Sequence, residues 1–361
     1  MFTSVQRGIA IGLLLSSFLW VVVHGAPATV LPVVDRSGGN AYCEAVSAAI
    51  DAAECSIELL LSSGRVEDVL LWDAIVAASD RGVSVRVLLD ASDWAPEITE
   101  GNRQVVSYLI ERGIDCRFDD PGVTTHAKLA VIDRAVIVLG STNWNRYALR
   151  EHVQADVIVR NELIGELFAE YFDRIWEERL PVDGVEIDFG DLLSDVPTMV
   201  PLPDGPGTAL SASLLLELLP HARESVHVSM YRMSIYPNYP GSVANKLVDE
   251  LILAAARGLD VRVVLDDCSF YADSADANLA TAIYLYQHGI EIRFDAPEMT
   301  THAKLIVIDG ESVVVGSTNW NYYSLERNIE AGVGLLWMPH VAKSFDAFFE
   351  AVWAAGRPIT P

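Results

Sequence analysis

The sequence predicts an α/β protein built from two repeated halves, and three observations carry that expectation. Segments with helical spacing of apolar residues alternate with short β-branched runs. The same order of segments runs through twice. One motif also recurs. Thr125 to Asp133 reads THAKLAVID and Thr301 to Asp309 reads THAKLIVID, and each is followed by GSTNWN, at Gly140 to Asn145 and Gly316 to Asn321. The copies are 176 positions apart and do not slip within the motif. Alternating strands and helices imply a mixed or mostly parallel sheet covered by helices in each half.

The chain has 361 residues, enough for about two domains of ordinary size. Met1 to about Ala26 reads as an export signal or an N-terminal anchor. Arg7 supplies the positive start, Ile9 to Val23 is apolar, and Val23, Gly25 and Ala26 offer a small-residue cut point. Either reading puts the body outside the cytoplasm. Pro27 to Asn40 is a lead-in rich in turn residues.

The first domain is placed at 30–180. In it Tyr42 to Ala53 has helical spacing, Ser56 to Ser62 is a strand, and Val66 to Arg81 is a helix ended by Gly82. Val83 to Leu89 is a strand, Gln104 to Arg112 a helix, and Ile114 to Phe118 a strand. Residues 181–207 carry Pro197, Pro201, Pro203 and Pro206 and read as a linker. The second domain, 208–361, repeats the order. Its helices are Leu214 to Glu224, Val243 to Arg257 and Ala280 to His288, and its strands are Val226 to Tyr231, Val261 to Leu265 and Ile290 to Phe294. The apolar stripe Val341, Phe345, Phe348, Phe349 and Val352 predicts a last helix packed on the second sheet.

Hydrophobic residues make up 51% and charged residues 21%, which is a globular composition. The formal net charge is −25. Such a surface repels nucleic acid and anionic membrane at long range. Cys43, Cys55, Cys116 and Cys268 show no zinc spacing; Cys43 and Cys55 are near enough in sequence to pair or to remain buried thiols.

The chemistry sits in the repeated motif. On a strand, positions i and i+2 share a face, so His126 lies with Lys128 and His302 with Lys304. Asp309-Gly310 is a hairpin signal, and Asp133 holds the matching place, so both aspartates read as turn and scaffold. Ser141, Asn143, Ser317 and Asn319 add hydroxyls and amides near the preceding strand. Two such halves facing each other would form a pocket for a tetrahedral anion, with one imidazole to attack and the other to donate a proton. The lysines supply positive charge, so the scheme requires neither a metal nor a cofactor.

HAKLAVID with GSTN, and HAKLIVID with GSTN, resemble the two HKD motifs of the phospholipase D superfamily. The resemblance covers both halves. It implies two phospholipase D-like lobes, each a mixed β-sheet flanked by helices, related by a pseudo-two-fold axis, with one site between them. It also implies phosphodiester cleavage through a covalent phosphohistidine. His126 would attack and His302 would protonate the leaving group, while Lys128, Lys304, Asn143 and Asn319 hold the phosphoryl oxygens. The family places an acidic residue downstream of each motif to orient the histidine. Glu330 fills that place in the second half, 28 residues beyond His302, and Gln154 stands there in the first. If each served its own half, Glu330 would keep His302 protonated and Gln154 would leave His126 neutral. Asp156 is an alternative orienter, and His152 replaces Asn328 at the rim.

Phospholipid is the favoured substrate, with peripheral membrane contact and a monomeric chain; the alternative is an exported nuclease acting on single-stranded nucleic acid. A lipid needs an apolar entrance, for which the loop aromatics are Trp94, Tyr231, Tyr236, Tyr239, Phe270 and Tyr271. Trp144 and Trp320 should pack behind the motif.

Overall fold

The computed structural model describes residues 23–24, 28–67, 69–91, 95–178, 192–268 and 271–359. Strand β1 (Val23–His24) joins the sheet of the second lobe. The first lobe then runs β2 (Thr29–Asp35), α1 (Ala41–Asp51), β3 (Ser56–Leu61), α2 (Val69–Asp80), β4 (Ser84–Leu89), α3 (Pro96–Ile110) and β5 (Asp115–Phe118). It closes with β6 (Lys128–Ile132), β7 (Val136–Gly140), α4 (Arg146–Arg150), β8 (Gln154–Arg160) and α5 (Glu162–Trp176). The second lobe repeats this order. It comprises β9 (Thr198–Asp204), α6 (Leu210–Leu218), β10 (Ser225–Met230), α7 (Val243–Ala256), β11 (Asp260–Leu265), α8 (Ala272–Gln287) and β12 (Glu291–Phe294). Then come β13 (Lys304–Ile308), β14 (Ser312–Gly316), α9 (Tyr322–Glu326), β15 (Glu330–Leu336), α10 (Pro339–Ala355) and β16 (Arg357–Pro358).

The sheets are mixed. The first has the order β2-β8-β7-β6-β3-β4-β5 and the second β1-β9-β15-β14-β13-β10-β11-β12-β16. Among the described strands, β3-β4-β5 and β10-β11-β12 pair in parallel and the other pairs are antiparallel; the parallel pairs are where helices make the crossovers. The helix closers Gly82 and Gly258 sit at φ +93° and +91°, a region that side chains resist.

Three apolar cores make a layered molecule. One joins the outer face of the first sheet to α1, α2 and α3, and a second does the same for the other sheet with α6, α7 and α8. The middle core belongs to both lobes. It combines Leu129 and Val131 of β6, Leu305 and Val307 of β13, Phe168 and Phe172 of α5, and Phe345 and Phe349 of α10. The stripe on α10 is therefore interlobe packing as well as cover for the second sheet. Truncating Phe345, fully buried there, should cost about 3–5 kcal/mol.

Several boundaries differ from the sequence reading. The lead-in contains β2, and the linker reading fails over its second half, where Thr198–Asp204 is β9. Prolines hid both. Pro32 lies on an edge strand, and Pro201 and Pro203 alternate so that their missing N–H groups share one side of β9. Beyond Met199 no described strand pairs that side. Helices α3 and α8 start earlier than their apolar spacing suggests, because Asn102 and Asn278 face inward. Of the predicted leader, only Val23–His24 is described. Residues 181–191 of the linker, Trp94 and Phe270 also lie outside the described residues.

Candidate active site

Each motif begins where a strand meets the other lobe. Strands β6 and β13 start at Lys128 and Lys304, so His126 and His302 precede the regular ladder. Their backbones pair across the lobes instead. His126 and Ala127 N–H groups donate to the Ile329 carbonyl at 2.8 and 2.9 Å, and Ile329 N–H donates to Thr124 at 2.9 Å. In the mirror arrangement, Val153 N–H donates to Thr300 at 2.8 Å and His302 N–H to Val153 at 2.9 Å. These bonds fix the two histidines relative to each other.

The side chains cross as well. His126 Nδ1 lies 3.1 and 2.9 Å from the two oxygens of Glu330. His302 Nδ1 lies 2.9 Å from the Ser141 carbonyl oxygen. The expectation that Glu330 serves His302 and Gln154 serves His126 is overturned. The residue 28 places beyond each histidine starts β15 or β8, and each of those strands faces the other lobe's motif. Glu330 is fully buried. It accepts from Ser317 Oγ at 2.5 Å and Asn328 Nδ2 at 3.2 Å. Gln154 takes the matching place and accepts from Ser141 Oγ at 2.7 Å, without reaching an imidazole. Asp156 is not an orienter either. It accepts from Thr142 N–H at 3.0 Å and Thr142 Oγ1 at 2.5 Å, on its own lobe's loop.

Two buried lysines lie near Glu330. Lys128 and Lys304 are each 2% exposed. Each donates to the carbonyl of its own motif histidine, Lys304 at 2.6 Å. Burial pulls Lys128 down to about 8, against the attraction of Glu330, Asp90 and Asp156. Burial and then Lys128 hold Lys304 well below the usual lysine range. Burial lowers His126 despite Glu330. Burial, then Lys304 and Lys128, lower His302 further. Glu330 ends below the usual carboxylate range, because His126, Lys128 and the Ser317 bond outweigh its burial. Inside a chain of net charge −25, this gathers two buried lysines and two imidazoles around a buried carboxylate.

Asn143 and Asn319 each present a buried amide oxygen position with no hydrogen-bond partner among the described residues. An amide seen end-on can be turned by half a revolution, so either group could donate to an anion there. Trp144 and Trp320 are each 1% exposed, and Trp144 Nε1 donates to Tyr42 at 3.0 Å. Asp133 and Asp309 lie away from the imidazoles, in turns with φ of +51° and +55°. Asp133 accepts from the N–H groups of Glu54, Cys55 and Ser56 at 2.9, 2.6 and 2.9 Å. Asp309 does the same for Arg223, Glu224 and Ser225 at 2.9, 2.8 and 3.0 Å. Each aspartate pins its hairpin to the corner before β3 or β10.

Of the loop aromatics, Tyr231 has its ring 4.7 Å from that of His302, tilted at 59°, and 4.8 Å from the Lys304 amine. Tyr239 and Tyr271 are exposed, and Tyr236 Oη accepts from Tyr322 N–H at 3.0 Å. His152, read as a rim residue, is half-buried with its ring 6.0 Å from that of His302.

Sequence reasoning missed a supporting layer. Thr125 N–H donates to Asp90 at 2.8 Å, and Thr301 N–H donates to Asp266 and Asp295 at 2.6 and 2.8 Å. Asn102 and Asn278 lace the adjoining loops, each taking one N–H and giving to two carbonyls. The pairs Asp90/Asp266 and Asn102/Asn278 keep the motif's offset of 176, a signal that was there to be used. Among the described residues no group of three or more His, Cys, Asp or Glu is placed to hold a metal ion, and no helix is long and apolar enough to cross a membrane.

A family model described as cardiolipin synthase, PLD-like domain, matches residues 46–176 and again 215–353. The chain belongs to the PLD-like domain family. Each match contains one copy of the motif. The mitochondrial cardiolipin hydrolase of dog (Canis lupus familiaris) is 34% identical to this PLD-like protein over 133 residues, 37% of this chain and 50% of the relative. The mouse (Mus musculus) 5'-3' exonuclease PLD4 is 28% identical over 181 residues, 46% of this chain and 34% of the relative. The chain thus spans about half or less of these curated relatives. The crystal structure of phosphatidylserine synthase from Haemophilus influenzae is similar in fold, with a TM-score of 0.70 at 10% identity, over 93% of this chain and 90% of that one.

Proposed function

We propose that this PLD-like protein is a phosphodiesterase that hydrolyses or transfers a phosphodiester through a phosphohistidine, with a phospholipid as substrate. The carrying observation is the crossed pairing of His126 with Glu330 beside two buried lysines. Glu330 accepts the Nδ1–H of His126 and leaves the Nε2 lone pair free to attack. The P–N bond forms as the bond to the leaving oxygen breaks, and His302 gives that oxygen its proton. Water or an alcohol then loses its proton to His302 while its oxygen displaces His126. Lys128, Lys304, Asn143 and Asn319 hold the phosphoryl oxygens.

With Glu330 assigned to His126, something else must charge His302. The substrate can do so. Burial first, and then Lys304 and Lys128, hold His302 down, and the negative charge of the substrate offsets the part due to the lysines. Donor competence then arises when the phosphodiester binds.

The net charge counts against nucleic acid, the N-terminal sequence fits a lipid met outside the cytoplasm, and exposed Tyr239 and Tyr271 are available for peripheral contact. One chain supplies both motifs, which suits a monomer. The likeness to the exonuclease keeps single-stranded DNA as the second reading. The test assays phosphatidylcholine and phosphatidylglycerol beside single-stranded DNA, with His126→Ala as control. Lipid cleavage abolished by His126→Ala is expected. Cleavage of DNA alone would overturn the lipid reading, and activity indifferent to His126→Ala would overturn the site.

A further inference from the structure

The two half-sites differ most around His302. Ser62 and Tyr231 occupy equivalent places, since their N–H groups donate at 3.0 Å to Ala127 and Ala303, the residues after each motif histidine. His152 and Asn328 are equivalent too, donating from N–H to the carbonyls of Tyr147 and Tyr323 at 3.0 and 2.9 Å. In the second lobe Asn328 spends its amide on Glu330. In the first lobe His152 makes no such bond to Gln154. Its ring lies 6.0 Å from that of His302, inclined at 47°, and its Nδ1 is buried without a partner among the described residues. The His302 ring therefore has two aromatic neighbours, Tyr231 at 4.7 Å and His152 at 6.0 Å. His126 has Ser62 and an already engaged asparagine in the corresponding places.

We infer that His152 is a specificity-determining residue whose imidazole hydrogen-bonds a second hydroxyl on the leaving or accepting alcohol, so that the site selects polyols of the glycerol type over simple alcohols. The inference rests on the proposed roles of His126 and His302. In an in-line displacement the alcohol oxygen lies beside the proton-exchanging histidine, which is His302. A group one ring away from it meets the substituents of that alcohol. Burial and the nearby Lys304 hold His152 down to about 4, so at neutral pH it is an uncharged imidazole with one donor and one acceptor. That pairs with a hydroxyl, whereas a trimethylammonium headgroup would leave the nitrogen unsatisfied. A buried polar atom without a partner costs free energy, and a hydroxyl that bonds it recovers that cost.

The test uses bis(p-nitrophenyl) phosphate as donor for wild type, His126→Ala, His152→Asn and His152→Gln. Release of p-nitrophenolate by wild type and its loss in His126→Ala check the phosphodiesterase reading independently. Glycerol and ethanol then compete for the phosphoryl-enzyme, and the ratio of glyceryl to ethyl diester is measured. In each transfer the P–N bond to His126 breaks, the P–O bond to the alcohol forms, and the alcohol proton passes to His302. Wild type should favour glycerol. His152→Asn should lower the ratio about three- to tenfold, the worth of one hydrogen bond, and His152→Gln should restore part of it. The ratio does not depend on how much enzyme folds. A ratio unchanged in His152→Asn overturns the inference while leaving the phosphodiesterase intact; no p-nitrophenolate release by wild type overturns both.

Discussion

His126 and His302 are two copies of one residue in one motif, yet they sit in unlike surroundings. His126 has a buried carboxylate on Nδ1, and His302 has a peptide carbonyl there. A carboxylate stabilises the positive charge that an attacking imidazole acquires. A carbonyl fixes the tautomer with much less effect on charge. The difference shows how a duplicated fold can divide two chemical roles. The backbone frame stays symmetric, and side chains break the equivalence, at the Nδ1 partner through Gln154 against Glu330 and around the rings through Ser62 against Tyr231 and Asn328 against His152.

The most severe way to break the comparison is to remove each imidazole. His126→Ala should lower turnover by at least about 10⁴-fold and abolish phosphoryl-enzyme. His302→Ala should cost about 10²- to 10⁴-fold yet still form the intermediate from a donor with a good leaving group. Acid-quenched labelling followed by peptide mapping reads this directly, and phosphate on His302 would reverse the assignment.

Making the half-sites alike should be the next largest effect. Glu330→Gln gives both lobes an amide and should lower kcat about 10- to 100-fold, the usual cost of losing an orienting partner. Gln154→Glu is the reciprocal change and should be much milder, because Gln154 bonds Ser141 Oγ and not an imidazole. Equal losses from the two substitutions in steady-state kinetics would mean the crossed pairing does not govern activity.

The lysines predict a pH limb. Lys128 is pulled down to about 8, so in free enzyme it loses its charge as pH rises through that value. Anion binding should fall with it, and kcat/KM should decline above about pH 8. Lys128→Arg keeps the charge and should remove that limb, whatever it costs in absolute rate. For stability the sign runs the other way. Between about 8 and the usual lysine range the unfolded chain binds the extra proton, so this lysine makes stability rise with pH there.

The smallest effect on chemistry should come from the motif aspartates. Asp133→Asn and Asp309→Asn should leave kcat within a few-fold and lower stability by about 1–2 kcal/mol each, read as a fall in Tm. Asp133 lies below its usual carboxyl range: the bonds from Glu54, Ser56 and Cys55 outweigh the opposing effect of burial. Its contribution is therefore present above the unfolded carboxyl value and lost as pH falls through the folded one. Thermal melts between neutral and acid pH should show the Asp133→Asn variant converging on wild type at low pH.

The repeat was legible in the sequence because duplication leaves a constant offset. It gave the two lobes, the histidines, the lysines and the turn role of the aspartates, since each follows from local spacing and hairpin geometry. The supporting pairs Asp90/Asp266 and Asn102/Asn278 were legible by the same offset but carry no motif of their own. Strands β2 and β9 were hidden by prolines that only an edge position excuses. What the chain alone could not specify is which half completes which site. Glu330 lies 28 positions from His302 and 204 from His126, yet it bonds His126. Sequence distance favours the near partner. The cross-lobe backbone bonds of Ile329 with Thr124 and His126, and of Val153 with Thr300 and His302, set β15 and β8 against the opposite motif and select the far one.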